Sequence, residues 1–336
     1  MILPWLSDFL SRNVVVDRAL KAVLLLAIAV GVFKVVANPY STQWDFKLYV
    51  TCAKMQSMGL DPYNDRLMRD SLGYHWRMPC LYPPAVISAY RPFSAFITPD
   101  FHRGSFKVQA PWALLKVVLI GAILLLWRRY LGVRLDAALM LFLLLAYGNP
   151  FYIDLRSGNI AVLELFLLWT GFAFLFSGKD TLFAACVIVA AQPKMLFAGF
   201  LVLLLARTKP RWGLFTAACA AFAAVFSLNY LFHPASTADY FEKLVSASDI
   251  WTSEAGTINN STTSFLRDLF RLFGLRLSDL SHALLMLGVN AAIVGVSVRA
   301  CLRRLGDGSQ DEKLEIALFS CVVYAMLAPR LKDYSY

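Results

Sequence analysis

The strongest constraint on this chain is a set of apolar runs, each close to the length that a helix needs to cross a bilayer. Crossing about 30 Å of hydrocarbon takes about 20 helical residues. Composition agrees, because 59% of the 336 residues are hydrophobic and 16% are charged. The sequence therefore predicts an all-α, polytopic transmembrane helical bundle, with residues 1–336 forming a single membrane domain. The predicted spans are residues 19–37, 110–126, 135–147, 160–176, 212–232, 283–298 and 314–328.

The excess of basic residues indicates orientation rather than nucleic-acid binding. The net charge is +10, but many of the Lys and Arg residues stand at the ends of apolar runs, where they favour the cytoplasmic side. Arg12 and Arg18 precede the first run, and Lys21 lies in its first turn. We therefore expect a multi-pass protein of the plasma (inner) membrane with a cytoplasmic N-terminus and no nucleic-acid partner.

Two long segments, residues 38–108 and 233–281, then fall on the external face, together with a polar loop at residues 154–159. The stretch 82–96 is too short to cross and is predicted to be re-entrant or interfacial. A helix that begins at residues 42–45 and ends near Gly59 is expected to lie on the bilayer surface with its aromatic side toward lipid. The external loops are thus predicted to contain interfacial helices.

One apolar run, residues 181–206, is interrupted by Gln192, Pro193 and Lys194 and is followed at once by basic residues. Proline removes a helical hydrogen bond and breaks a helix interior. Two half-length helices that meet inside the membrane at Lys194 agree better with the charge pattern than a single crossing does. A single crossing remains the alternative, and it would invert every later loop.

Asp45 stands at the start of the first external segment, and two hypotheses apply to it. Residues Thr42 to Asp45 have the spacing of a capping box, with Thr42 as the N-cap and Asp45 at N3. Alternatively, Asp45 is a general base near the membrane interface. The two roles are compatible.

Lys194 is the charged residue at the predicted break. A charge at mid-depth costs about 2.5–3.5 kcal/mol on insertion scales, so it needs a partner or a cavity. One hypothesis pairs Lys194 with Glu164 of the preceding span. The other makes Lys194 a cation that holds a lipid phosphate. Both hypotheses stay open at the level of sequence.

The C-terminal octet is polar and aromatic and follows the last apolar run directly. Arg330, Lys332 and Asp333 crowd the outer end of this run, where they either serve a site or anchor the helix at the interface beside Tyr334 and Tyr336. From this abrupt end we expect a truncated protein or fragment, from which further C-terminal spans are missing.

The cysteines and the missing motifs limit the chemistry. Six cysteines are scattered without a Cys-x-x-Cys pair, and a disulfide between Cys52 and Cys80 is compatible with their place in one external segment. There is no glycine-rich phosphate loop and no cluster with zinc spacing, so no cofactor or metal is predicted. An enzyme of this kind would need a donor that arrives through the membrane.

Short motifs in a shared order resemble a known family, the polyprenol-phosphate-mannose-dependent α-1,2-mannosyltransferases, which are family 87 of the GT-C glycosyltransferase superfamily. The resemblance extends over nearly the whole chain. It rests on Asp45-Phe46 with Tyr49 and Ala53, Gly59-Leu60-Asp61-Pro62-Tyr63, Tyr82-Pro83-Pro84, Gly158-Asn159, Lys194, Asn260-Ser261 before Arg267, and residues 329–333.

The resemblance implies a GT-C bundle that transfers a sugar, mannose or another hexose or pentose, from a polyprenyl phosphate to a lipid or glycan acceptor on the outer face. Asp45 matches the family's acidic base, and Lys194, Arg330 and Lys332 are the candidate phosphate-binding cations. Asp333 matches an aspartate of an aspartate-histidine signature, but Tyr334 replaces the histidine. Further site candidates on the matching motifs are Tyr49, Tyr82, Asn159 and Asn260.

Two other classes of protein share some of these features. A transporter or flippase of a lipid-linked or small solute would also contain a broken intramembrane helix with a charge at the break. It would show related halves, and no internal repeat is visible. An inactive scaffold or fragment would agree with the abrupt end at Tyr336.

Overall fold

The computed structural model describes residues 14–38, 41–73, 79–96, 106–146, 151–205, 209–253, 262–275, 279–302 and 310–327. Within these ranges all regular secondary structure is helical and no β-strand occurs. The α-helices are α1 Val14–Ala37, α2 Trp44–Ser57, α3 Asp65–Leu72, α4 Pro84–Ser88, α5 Arg91–Ser94, α6 Phe106–Tyr130, α7 Ala137–Ala146, α8 Tyr152–Ser157, α9 Ala161–Phe176, α10 Asp180–Ala190, α11 Trp212–Phe232, α12 Pro234–Ser253, α13 Thr262–Leu272, α14 Asp279–Leu302 and α15 Gln310–Leu327. A 3₁₀ helix, Met195–Leu204, follows α10.

Three of these helices are long and apolar enough to cross a bilayer. They are Val14–Ala37, Lys107–Tyr130 and Trp212–Phe232, with mean hydropathies of 2.4, 2.1 and 1.7. The prediction of an all-α membrane protein is therefore confirmed. The predicted third span is shorter than expected, because α7 has 10 residues, which is about half the length that hydrocarbon requires.

The chain divides into two compact units, and the first comprises Met1–Cys80 and Ile87–Phe166. In it, α1 packs against α6, α7 and α8, while α2 packs against α3, α5 and α8. Helix α2 is buried around its whole circumference, since ten of its 14 residues are buried. The expectation that this helix lies on the bilayer surface is therefore wrong: its aromatic side chains pack against protein.

The start of α2 also differs from the predicted capping box. Helix α2 begins at Trp44, and its N-cap is Gln43 with a left-handed backbone, φ +54°. The Thr42 hydroxyl instead donates to the carbonyls of Val35 and Asn38, at 2.9 Å each. The hydroxyl thus satisfies carbonyls at the end of α1. Thr42 lies one residue before the N-cap of α2. Asp45 occupies the second helical position rather than N3.

The second unit comprises Leu81–Val86 and Leu167–Tyr336. The predicted break at residues 192–194 is confirmed, because α10 ends at Ala190 and the 3₁₀ helix begins at Met195. The two helices pack against each other, so the chain folds back at the break. Rings fill the interior beside them: Phe197 and Phe200 stack on Tyr324, with centroids 4.7 and 5.7 Å apart.

Residues 233–281, the second segment predicted to be external, contain two helices, α12 and α13. The polar loop predicted at residues 154–159 is instead the end of a helix, α8, followed by a turn at Gly158. Asp154, Ser157 and Asn159 are all buried. The partition of the chain into one membrane domain and the membrane orientation stay predictions.

Candidate functional site

Three of the residues that the sequence analysis selected meet inside the first unit. The Asn159 amide nitrogen donates to Asp45 Oδ2 at 2.8 Å and to the Tyr49 hydroxyl at 3.3 Å. Asp45 and Tyr49 are four residues apart on α2, so they share one face of the helix. All three side chains are less than a tenth exposed. We call Asp45, Tyr49 and Asn159 the Asp45 cluster.

The orientation of the Asn159 amide follows from its second contact. Its Oδ1 accepts a hydrogen bond from the backbone N–H of Ala161 at 3.0 Å, and a backbone N–H can only donate. The oxygen must therefore face the start of α9, and the NH₂ group must face Asp45. Asn159 thus presents a donor, and not an acceptor, to the carboxylate.

Aromatic rings form a wall beside the Asp45 cluster. Phe46 stacks on Trp112 with centroids 4.8 Å apart and meets Phe93 edge to face at 5.4 Å. The ring centroids of Tyr49 and Tyr90 are 5.3 Å apart. These rings come from α2, α6 and the segment at α5. Together with the burial of Asp45 they make the surroundings of the cluster low in dielectric, which strengthens electrostatic interactions there.

Tyr90 places a protonated hydroxyl near two carboxyl groups. Burial raises the pKa of Tyr90 strongly, and the negative charges of Glu164 and Asp45 raise it further. The hydroxyl therefore stays protonated at every pH at which the protein would function. Among the residues that the structure describes, none forms a hydrogen bond with this oxygen.

A buried ion pair lies close to the cluster. Lys116 Nζ donates to Asp154 Oδ2 at 2.6 Å, and the two side chains are 3% and 6% exposed. Lys116 lies in the middle of α6, whereas Asp154 lies in the first turn of α8. The Lys116 ammonium also interacts electrostatically with Asp45. The interior of this unit thus contains charges of both signs.

Gly158 allows α8 to approach α2 closely. Its backbone has φ +74°, and a Cβ added there would lie 2.9 Å from the Phe46 Cβ and 3.0 Å from the Gln43 Cα. Any side chain at residue 158 would have to displace α2. Because Gly158 precedes Asn159, this close approach brings the Asn159 amide within reach of Asp45.

Lys47 is a second buried lysine of the first unit. It is fully buried in α2, and burial lowers its pKa to about 8. The protonated and neutral forms of Lys47 are therefore both accessible at mildly alkaline pH.

A disulfide anchors α2 at the face that carries Asp45. Cys52 and Cys80 are bonded, with Cα atoms 6.6 Å apart. Cys52 lies seven residues after Asp45, which is two helical turns, so both side chains project from the same side of α2. The disulfide that the sequence allowed is therefore present.

The remaining candidates lie elsewhere or outside the described residues. Tyr82 and Lys194 belong to the second unit; Tyr82 is buried, and Lys194 is half-buried in an extended conformation just before the 3₁₀ helix. The proposed pairing of Lys194 with Glu164 stays a prediction. The candidates that lie outside the described residues are Asn260, Arg330, Lys332, Asp333 and Tyr334.

Sequence analysis missed two residues of this site. Lys116 had a signal, because a lysine in the middle of an otherwise apolar span marks a buried partner. Tyr90 had none, because nothing local distinguishes it from the interfacial tyrosines expected near a membrane.

Comparison with known proteins supplies the family. Neither a curated protein nor a solved structure matches the chain with significance. The family model described as Glycosyltransferase family 87 matches residues 81–329, which is well over half of the chain. The match includes Asn159, Lys116 and Asp154, while Asp45 precedes it. The chain therefore belongs to glycosyltransferase family 87 and is a membrane glycosyltransferase.

Proposed function

We propose that this glycosyltransferase moves a sugar, mannose or another hexose or pentose, from a polyprenyl-phosphate donor to a lipid or glycan acceptor on the outer face of the plasma membrane. The observation that carries the proposal is the Asp45 cluster: a buried carboxylate held by the Asn159 amide within a membrane protein of this family. Family membership favours the transferase over the transporter.

Asp45 is the proposed general base. A base must be held in hydrogen-bonding reach of the proton that it removes. The contact with Asn159 holds Asp45 Oδ2, and the Asp45 side chain is buried. Tyr90 offers a protonated hydroxyl close by, which is suited to donate a hydrogen bond to a sugar or acceptor oxygen.

The proposed step is a single inverting displacement. Asp45 accepts the proton of an acceptor hydroxyl while that oxygen forms a bond to the anomeric carbon of the sugar. The bond between the anomeric carbon and the donor phosphate oxygen breaks, and its electron pair leaves with the polyprenyl phosphate. The leaving phosphate carries the negative charge, so it needs a cation more than it needs a proton.

Lys194 is the proposed phosphate-binding cation within the described residues. It stands at the break between α10 and the 3₁₀ helix, where the extended backbone exposes peptide groups that a continuous helix would use internally. Arg330 and Lys332 are proposed for the same role from the sequence alone. A lipid-linked donor is supported by the chemistry of these cations inside a membrane protein.

The disulfide supports the outer face. Disulfides persist in oxidising compartments and are rare in the cytosol. Cys52 and Cys80 are bonded on the side of α2 that also carries Asp45. The segment that carries Asp45 and this disulfide is therefore proposed to lie on the external or periplasmic side of the membrane, in agreement with the distribution of basic residues.

The substitution Asp45→Asn tests the function. The change keeps the size of the side chain and its place against Asn159 but removes the base. We expect the transfer rate from a polyprenyl-phosphate sugar, measured with the purified chain in lipid nanodiscs, to fall by about 10²–10⁴-fold.

Asp70→Asn is the matched control, because Asp70 lies in the same segment on α3, 69% exposed and paired with Arg66. It should keep the wild-type rate. A normal rate for Asp45→Asn would show that Asp45 is not the base. No transfer by the wild-type chain with any polyprenyl-phosphate sugar, alongside transfer from a nucleotide sugar, would overturn the donor class.

A further inference from the structure

Lys116 is a buried charge to which the proposed displacement gives no direct role. It lies in a membrane-spanning helix and is 3% exposed. Its Nζ donates to the carbonyl oxygen and to the Oδ2 of Asp154, at 2.6 Å each. Charges within spans are costly and mark function more often than they contribute to stability alone. The question is what Lys116 holds in place.

The Asp154 backbone carbonyl accepts three hydrogen bonds at α8. The donors are the Lys116 ammonium, the Ser157 hydroxyl at 3.1 Å and the backbone N–H of Gly158 at 3.1 Å. Lys116 therefore contacts the same oxygen that closes the last turn of α8. A shift of Lys116 would shift this turn and the residue that follows it, Asn159.

The same face of α6 contacts the other end of α8. Trp112 lies one turn before Lys116, and its indole N–H donates to the Gly158 carbonyl at 2.9 Å. Helix α6 thus holds α8 at both ends, at Asp154 through Lys116 and at Gly158 through Trp112. The position of Asn159 along α6 is fixed by these two contacts.

A third residue on this face, Gln109, holds the start of α2. The Gln109 side-chain Nε2 donates to the backbone carbonyl of Thr42 at 3.3 Å. The backbone carbonyl of Gln109 accepts a hydrogen bond from Gln43 Nε2 at 3.0 Å. Gln109, Trp112 and Lys116 are spaced by three and four residues, so they form one stripe on α6. The stripe contacts both the segment that carries Asp45 and the segment that carries Asn159.

We infer that Lys116 is a positioning residue for the transfer reaction. Through its contacts with Asp154 it fixes the position of α8 along the axis of α6, and in this position Asn159 reaches the Asp45 carboxylate. This inference rests on the proposed function of Asp45. The hydrogen bonds of Lys116 go to Asp154, so Lys116 acts through Asp154 and Asn159 and is not a catalytic residue. Its charge is needed because the ammonium must bind the backbone carbonyl and the carboxylate of Asp154 together.

The competing role is a pair that only stabilises the interior. The two roles separate when both charges are removed together. Removing one member of a buried pair leaves an uncompensated charge and destabilises the protein, whereas replacing both members restores much of the stability. A positioning role predicts that activity stays low even when stability returns.

The experiment therefore compares Lys116→Met, Lys116→Arg, and Lys116→Met combined with Asp154→Asn. For each, kcat, KM and the thermal unfolding midpoint are measured in nanodiscs. We expect Lys116→Met to lower kcat about 100-fold, as expected for a displacement of about 1 Å at the reacting groups, with KM within about twofold of wild type. Lys116→Arg should recover part of kcat. The double variant should regain thermal stability while kcat stays low.

Asp17→Asn is the matched control, because it breaks the Lys21–Asp17 pair of α1, which is formed within one helix at 2.7 Å. It should leave kcat unchanged. If kcat returns together with stability in the double variant, the pair is structural and the inference is wrong.

A double-mutant cycle between Lys116→Met and Asn159→Ala separates this inference from the proposed function. If Lys116 acts through Asn159, the effects of the two changes on unfolding midpoint and on kcat are not additive. Full activity of Asp45→Asn would refute only the role of Asp45 as the base. The unfolding midpoint would still report whether Lys116 and Asn159 are coupled. Additive effects on both quantities would refute the positioning role, whatever Asp45 does.

Discussion

Two pairs of buried polar side chains in the first unit contrast with a buried amide of the second unit. In the first unit, Asp45 binds Asn159, and Lys116 binds Asp154, so side chains contact side chains. In the second unit, the buried Asn229 accepts a hydrogen bond from the backbone N–H of Ala85 at 2.7 Å and donates to the Phe226 carbonyl at 2.8 Å. There the amide completes the backbone hydrogen bonding of turns and helix ends.

The buried ion pair of the first unit also differs from an ion pair of the second unit. Lys116 and Asp154 are both nearly inaccessible, whereas in the second unit Asp180 pairs at 3.5 Å with Arg211, which is 63% exposed. An exposed pair contributes little to stability, and a fully buried one is retained only with good geometry. The comparison supports the proposed role of the two side-chain pairs of the first unit in the reaction, whereas Asn229 and Asp180 of the second unit contribute to the fold.

The largest effect is expected from two matched glycine substitutions. Gly158 and Gly178 have nearly the same left-handed backbone, with φ of +74° and +73°, but a Cβ at Gly178 would meet nothing within 4 Å. Gly178→Ala in the second unit should therefore cost only about 1 kcal/mol of unfolding free energy. Gly158→Ala adds the clash with Phe46 and Gln43, so we expect a further loss of stability and at least a 100-fold loss of transfer rate.

Thermal unfolding and transfer assays on the two glycine variants measure this difference. Equal effects of the two substitutions on both quantities would mean that the close approach of α8 to α2 does not matter. The contrast between the units would then lose its main structural support.

The second test exchanges the two buried asparagines for alanine. Asn159→Ala should lower the transfer rate about 10- to 100-fold, because Asp45 loses the donor that holds it. Asn229→Ala should instead lower the unfolding free energy by about 1–3 kcal/mol, because it leaves the Ala85 backbone N–H without its acceptor and removes a buried side chain. The rate per folded molecule should stay near wild type for Asn229→Ala. A rate loss for Asn229→Ala that matched the loss for Asn159→Ala would contradict the division of roles.

The smallest effect is a pH dependence of stability that comes from Lys47. Burial lowers the pKa of Lys47 to about 8, below the value of about 10.4 expected in the unfolded chain. Between these values the unfolded state binds more protons than the folded state, so the folding stability rises as the pH rises from about 8 to about 10. A single group contributes at most about 1.4 kcal/mol per pH unit.

The unfolding midpoint, measured against pH for the wild type and for Lys47→Met, isolates this contribution. The difference between the two curves should narrow or change sign across that range, since the methionine variant has no group to titrate there. Parallel curves would mean that Lys47 titrates at its ordinary pKa and is more hydrated than its burial indicates.

The helices and their breaks were predictable because they depend on neighbouring residues. Apolar length indicated α1, α6 and α11, and Pro193 indicated the end of α10. The capping box failed for a tertiary reason: Thr42 binds carbonyls at the end of α1, at 2.9 Å each, and Gln43 rather than Thr42 is the N-cap of α2. The surface position of α2 failed for a similar reason, since an amphipathic pattern does not distinguish lipid from protein as the apolar partner.

The candidate site was predictable only in part. Asp45, Tyr49 and Asn159 stood on motifs with a family resemblance, and the structure brings them together. Lys116 could have been selected from its place in an apolar run, but its partner could not, because 38 residues separate it from Asp154. Tyr90 offered no local signal.

Sequence alone determined that this chain is helical, enters a membrane and breaks a helix before Lys194, because apolar length, proline and charge act over a few residues. The tertiary structure decided that α2 is buried, that Asp45 meets an amide 114 residues away, and that Lys116 binds α8. Those contacts depend on how closely two backbones approach, and at Gly158 that distance is set by the absence of a single Cβ atom. Such a distance is a property of packing, which no stretch of sequence contains by itself.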